Sequence, residues 1–279
     1  MSEIDNIIDS RYEWEIKWRS NEYGNAKIKG LQHLWSWSRY GRFWIFNFVF
    51  LFIYKDNPNR YERLYEFSEK LIKVYLLYSI VYQKSVNNIK GSFNNKLLDI
   101  LVNGKYEDLI SHIDEKLLIG SQWEKNRFKE ILDGDILFSN KVKNILCRLS
   151  ALLEENYKTN EAEEIKSITE KLFHSKENPI DIEHIQSYND ENEEEREKIK
   201  KSWGLNLNSL GNLVILEQSI NRSINNSEHK KLEGYKKSSY NIVEKVLVNQ
   251  YGDGWNIEKC KERKKYEVSK ICEYLLKQK

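Results

Sequence analysis

The sequence predicts a mainly α protein: an N-terminal helical bundle, then two short strands and a helix embedded in further helices. Three observations predict it. The 279 residues include only two prolines and twelve glycines; proline ends helices and glycine weakens them, so long helices are expected. Apolar residues recur at three- and four-residue steps through the first half, the spacing of one helix face. Near residue 178 this pattern gives way to two short aliphatic runs bounded by polar residues, as strands are. With 40% hydrophobic and 32% charged residues, the chain can fill a core. That balance excludes a disordered tail, a collagen-like rod and a disulfide miniprotein.

Taken in order, the pattern Leu31, Leu34, Trp35 and Trp37 leads into the most apolar run, Phe43 to Tyr54. Spanning a bilayer takes roughly 20 apolar residues. This run is shorter, contains Asn47 and ends at Lys55-Asp56-Asn57-Pro58, so a helix buried on all sides is expected and no membrane association. After Pro58, Leu64, Phe67, Leu71, Val74, Tyr75 and Tyr78 line one helix face. Leu97, Leu98, Ile100 and Leu101 start another helix, Leu109, Ile110 and Ile113 the next, and residues 140–155 repeat the spacing. Aromatics such as Trp35, Trp37 and Trp44 at this spacing are core residues rather than a base-stacking surface. His33 and His112 lie among these helices and receive no role. The expected division is a helical domain over 1–177 and a second domain over 178–279. Cys147, Cys260 and Cys272 form no close pair, and the polar opening Met1-Ser2-Glu3 is not secretory. A cytoplasmic protein is expected.

The net charge of +2 conceals an asymmetry. Residues 181–200 hold eight acidic and three basic side chains, whereas residues 229–279 hold thirteen Lys or Arg and seven Asp or Glu. Such a distribution suits either solvated helix surfaces or a nucleic-acid grip. The first strand-like run is Ile180 to Ile185. Alternation places Ile180, Ile182 and His184 on one face and Asp181, Glu183 and Ile185 on the other. Glu183 and His184 therefore share a reacting centre only if the strand bends between them. The second run, Asn212 to Leu216, follows Leu210-Gly211, where glycine allows a tight turn, and Glu217-Gln218-Ser219 opens a helix carrying Asn221.

Strand, loop, strand and helix, with His184, Asn212 and Asn221 at those places, resemble a ββα-metal nuclease finger of the HNH or His-Me class. The words DIEHIQS, SLGNLVILEQSINRSINN and KKLEGYKKS resemble the HNH-type domain that closes the GmrSD group of modification-dependent restriction enzymes. Lys231, Tyr235 and Ser238 match its Lys-x-x-x-Tyr-x-x-Ser word, and Trp255, Ile257 and Arg263 its terminal helix. The similarity covers roughly residues 178–270. It departs from the family at Gln186-Ser187-Tyr188, where a proline is usual after the histidine, and at Glu228, where an aromatic is usual.

The resemblance implies a Mg²⁺-dependent DNA endonuclease of a prokaryotic defence or restriction system. His184 would be the general base, since an imidazole titrates close enough to neutrality to deprotonate water. Glu183 and Asn221 would hold one Mg²⁺ or Mn²⁺, an ion that needs few protein ligands when water and phosphate complete its shell. Asn212 would hold the finger and orient the base. Lys230, Lys231, Lys236, Lys237, Lys261, Arg263, Lys264 and Lys265 would grip the DNA backbone. The family pairs this domain with a nucleotide-dependent module carrying an Asp-Gly-Gln-type word. Neither that word nor a GxxxxGK[ST] loop is found here, so either a separate NTP-dependent sensor subunit or the loss of that control is expected. The alternatives are a non-catalytic nucleic-acid-binding or scaffold subunit, or an RNase with the same finger.

Overall fold

The computed structural model describes residues 3–14, 44–82, 92–118, 125–134, 179–188, 192–224 and 228–276. The chain divides into two compact units, Met1–Trp123 and Glu124–Lys279. The apolar positions expected between residues 31 and 37, His33, the helix expected over 140–155 and the boundary expected at 177/178 lie outside the described residues.

In the first unit, α1 (Glu3–Tyr12) packs on α2 (Trp44–Ile53), which also meets α3 (Arg60–Tyr82) and α4 (Ser92–Asn103). α5 (Tyr106–Leu118) lies against α3 and α4. The sequence periodicity sets these contacts. Leu64, Phe67, Leu71 and Val74 are buried along α3, Leu97 and Leu101 along α4, and Leu109 and Ile113 along α5. α2 corrects an expectation: Phe46, Phe50 and Leu51 are buried, but Ile45 and Ile53 reach solvent. Asn47 survives in that apolar helix because Ser68 Oγ donates to its Oδ1 at 2.9 Å, satisfying a buried polar atom inside the core. His112 stacks on Phe93 with ring centroids 5.2 Å apart. Among the described residues no helix is long and apolar enough to cross a membrane.

The second unit is built around a two-stranded antiparallel sheet, β1 (Ile180–His184) and β2 (Leu213–Glu217). Ile180 faces Glu217, Ile182 faces Ile215 and His184 faces Leu213. All of β2 is buried, as expected of a strand covered on both faces. Between the strands runs α7 (Glu193–Trp203), capped by Asn192 and ending at Gly204, whose φ of 49° suits a residue without a Cβ. After β2, α8 (Gln218–Ile224) lies on both strands and packs on α9 (Glu228–Tyr235). A π-helical turn, Ile242–Leu247, runs into α10 (Val248–Tyr251), and α11 (Ile257–Leu276) closes the unit against α6 (Lys125–Asp133). The protein is thus mainly α with one small sheet, as predicted.

Candidate active site

His184 ends β1 in a half-buried position. Its Nε2 lies 3.0 Å from Asn208 Oδ1, and Tyr188 meets the ring edge-on, centroids 5.5 Å apart at 88°. Burial lowers the pKa of this imidazole below its ordinary value; Asn208 pulls it up and the charge of Lys231 pushes it further down. The side chain is therefore held as a neutral base near neutral pH.

The loop leaving His184 is clamped by Asn212, which is fully buried. Its Oδ1 accepts from Gln186 N–H at 2.7 Å and from Trp255 Nε1 at 3.1 Å. Its Nδ2 donates to Leu207 O at 2.8 Å and Gln186 O at 3.2 Å. One amide thus ties the post-histidine loop to the turn before β2 and to the segment before α11. Asn208 is a side-chain partner of the imidazole itself.

Glu183 leaves the strand on the opposite side from His184, because β1 pairs residue by residue through both positions without a bend. Only 6% exposed, Glu183 meets two residues one helical turn apart on α9. Lys231 Nζ lies 2.7 Å from its Oε1 and Tyr235 Oη donates to the same oxygen at 3.2 Å. Lys231 also donates to the carbonyls of His184 and Ile185 at 2.6 and 2.8 Å and to Ser187 Oγ at 2.6 Å. Ser187, in the loop where the family favours proline, thus becomes a further anchor for the ammonium. Burial pushes the Glu183 carboxyl above its ordinary pKa, with Lys231 and Tyr235 pulling it back.

Two residues expected to grip DNA do something else. Lys231 is 0% exposed and Arg263 3%. Arg263 Nη1 donates to the carbonyls of Leu210, Gly211 and Leu213 at 2.7, 2.9 and 3.1 Å, and Nη2 pairs with Glu267 at 2.5 Å. Both cations satisfy backbone that would otherwise be buried without donors, so neither can reach a phosphate. Lys264 is half-buried and donates to Asp133 O at 2.9 Å, joining α11 to α6. Lys230, Lys236, Lys237, Lys261 and Lys265 are exposed. The acidic run over α7 is offset within its own helix, where Lys198 lies 2.9 Å from Glu194 and Lys200 2.8 Å from Glu197.

The family pattern implies a divalent ion beside His184, and the two expected ligands fare differently. Asn221 is half-exposed on α8, the helix laid on both strands, and its amide oxygen is of the kind that Mg²⁺ accepts. Glu183 does not fit: its carboxylate is buried and taken up by an ammonium and a phenol hydroxyl. Among the described residues no three acidic, His or Cys side chains gather to hold a metal. Asn225, Asn226 and the side chain of His229 lie outside the described residues.

Sequence reasoning missed Asn208 and Tyr188. Asn208 stands in a polar stretch before glycine, Asn206-Leu207-Asn208-Ser209-Leu210-Gly211, which carries only the signal of a turn. Gly211 does lie in a tight turn, closed by Asn212 N–H on Ser209 O at 2.9 Å, though without a positive φ. It serves a second end that sequence reasoning missed: a Cβ there would stand 2.1 Å from Cys260 O, so glycine also admits α11. No curated protein and no solved structure matches the chain significantly. The family model described as GmrSD restriction endonucleases, C-terminal domain, matches residues 122–266, just over half of the chain and nearly all of its second unit. With the residues of its signature words converging on one two-stranded finger, the chain belongs to the family of GmrSD restriction endonuclease C-terminal domains.

Proposed function

We propose that the protein is a DNA endonuclease of a prokaryotic restriction or defence system, hydrolysing phosphodiesters with His184 as general base. The observation that carries this reading is the half-buried His184 at the end of β1, its Nε2 3.0 Å from Asn208 Oδ1 and the loop after it clamped by Asn212. A water attacking phosphorus gives its proton to the imidazole as the new O–P bond forms. The bond to the leaving oxygen breaks, and that oxygen is protonated from solvent. Asn212 keeps the loop and hence the imidazole in place, while Lys231 and Tyr235 fix the strand beneath through Glu183. Mg²⁺ or Mn²⁺, one ion per site, would offset charge on the scissile phosphate when bound, Asn221 offering an amide oxygen and water and phosphate the rest. The exposed lysines 230, 236, 237, 261 and 265 would track the DNA backbone. A separate NTP-dependent sensor subunit and a cytoplasmic location belong to the same reading.

The test is incubation of supercoiled plasmid with Mg²⁺ and the wild-type, His184→Ala and Asn221→Ala proteins. Nicking by the wild type that both variants lose supports the reading. Equal traces from all three proteins would leave a binding or scaffold subunit instead, and preference for matched RNA over DNA oligonucleotides would change the substrate.

A further inference from the structure

We propose that Asn208 is a positioning residue for His184: its amide oxygen holds Nε2 as the protonated ring nitrogen, so that the basic lone pair stands on Nδ1. The inference rests on the reading of His184 as a base and adds which nitrogen acts. The contact is 3.0 Å long, and an amide oxygen only accepts, so a ring nitrogen that bonds to it carries the hydrogen.

Asn208 is suited to this because its loop is fixed on both sides. On one side, Leu207 is buried with Trp203 and Cys260, and its carbonyl accepts from Asn212 Nδ2 at 2.8 Å. On the other, Ser209 is fully buried and its Oγ donates to Asn206 O at 2.9 Å, while Arg263 holds the Leu210 and Gly211 carbonyls. The same Asn212 that clamps the loop after His184 thereby clamps the loop that carries Asn208. The two halves of the His184–Asn208 contact are locked to a common amide. The Tyr188 ring packs against the imidazole as well, at 88° to it. A ring held this way enters the reaction with its tautomer already set.

The test is nitrogen NMR of the full-length protein labelled with ¹⁵N-histidine, at alkaline pH where the imidazoles are neutral. The His184 signals are identified by their loss in His184→Gln. The expected result is a protonated Nε2 and an unprotonated Nδ1 in the wild type. Asn208→Ala should show mixed tautomers and nicking lower by about tenfold or more, with plasmid affinity unchanged. Asn208→Asp keeps an acceptor at the same place and should restore both the signal and the rate. A wild type protonated on Nδ1 overturns the proposal, a result that does not depend on whether any variant folds. An unchanged tautomer in Asn208→Ala overturns it as well. Because the tautomer is read without cleavage, an Nε2-protonated wild type that nicks nothing supports the positioning while defeating the nuclease reading.

Discussion

Glu183 and His184 are adjacent in the chain and face opposite sides of one strand, and their chemistry differs accordingly. Glu183 is the counter-ion of a buried lysine. Replacing Lys231 with Met should cost about 3–5 kcal/mol, because it strands a carboxylate in the interior. Urea unfolding would measure this, and the Glu183→Gln/Lys231→Met pair should lose less than the two single changes added together. His184, the proposed base, has its pKa lowered by burial. The sign is then fixed: the neutral, active form persists to a lower pH than for an exposed histidine of pKa about 6.5. The acid limb of the cleavage profile should have its midpoint below about 6.5. A single-turnover pH profile checks this, and a midpoint at or above that value contradicts it. The stability that His184 contributes is present above its unfolded pKa and is lost as pH falls from there through the lower folded value. The sequence made the strand alternation legible, and with it the separation of these two side chains. It did not disclose that the glutamate side is the buried one, because Lys231 lies 48 positions further on, and only the fold brings its ammonium to the carboxylate.

At the scale of elements, the helix faces were readable because burial follows a period the chain itself carries; Leu64, Phe67, Leu71 and Val74 are all at most 1% exposed on α3. The strands were readable to within a residue, β2 running Leu213–Glu217 rather than Asn212–Leu216. What could not be read was the docking of α9 and α11 on the finger. Both helices insert a cation into backbone carbonyls, and a lysine or arginine in a basic segment looks the same in sequence whether it faces solvent or a carbonyl cluster. Lys231 and Tyr235, four residues apart and hence on one helix face, were the available hint that α9 turns its polar word inward. The docking of α11 hinges on Gly211, where an added Cβ would press on the Cys260 carbonyl. Gly211→Ala should therefore destabilise the protein by about 1–3 kcal/mol, the usual cost of overpacking. Thermal unfolding would measure it. A Tm equal to wild type would show that α11 can back away from the loop at no cost. Trp255→Phe removes the indole N–H donor to Asn212 together with part of the ring that stacks on Tyr251, and should cost at least about 1 kcal/mol.

For the whole molecule, the decisive property is how charge is laid out rather than its sum. The net +2 gives no field to speak of, and the acidic helix α7 neutralises itself through pairs three and four residues apart. Of the eight cations expected to meet DNA, Lys231 and Arg263 are interior and Lys264 is tied to Asp133, leaving five at the surface. Among those five, Lys236 and Lys261 lie 2.7 and 2.8 Å from Glu233 and Glu258, three residues away on the chain. Exposed pairs of this kind are weak, so a phosphate can displace the glutamate, but each such lysine gives up a partner in doing so. Lys230, Lys237 and Lys265 should therefore contribute more per residue. Binding of duplex DNA should weaken steeply as salt rises, and every phosphate that a variant no longer neutralises should reduce the log–log slope by roughly 0.9. Changing Lys230, Lys237 and Lys265 to Gln one at a time, and measuring affinity by fluorescence anisotropy over a salt series, gives the slopes directly. Lys231→Met and Arg263→Met serve as contrasts: they should lower folding stability while leaving the salt slope of the folded fraction where it was. An affinity that does not change between low and moderate salt, or a slope that moves with the buried pair and not with the three exposed lysines, would show that these lysines are not where nucleic acid binds.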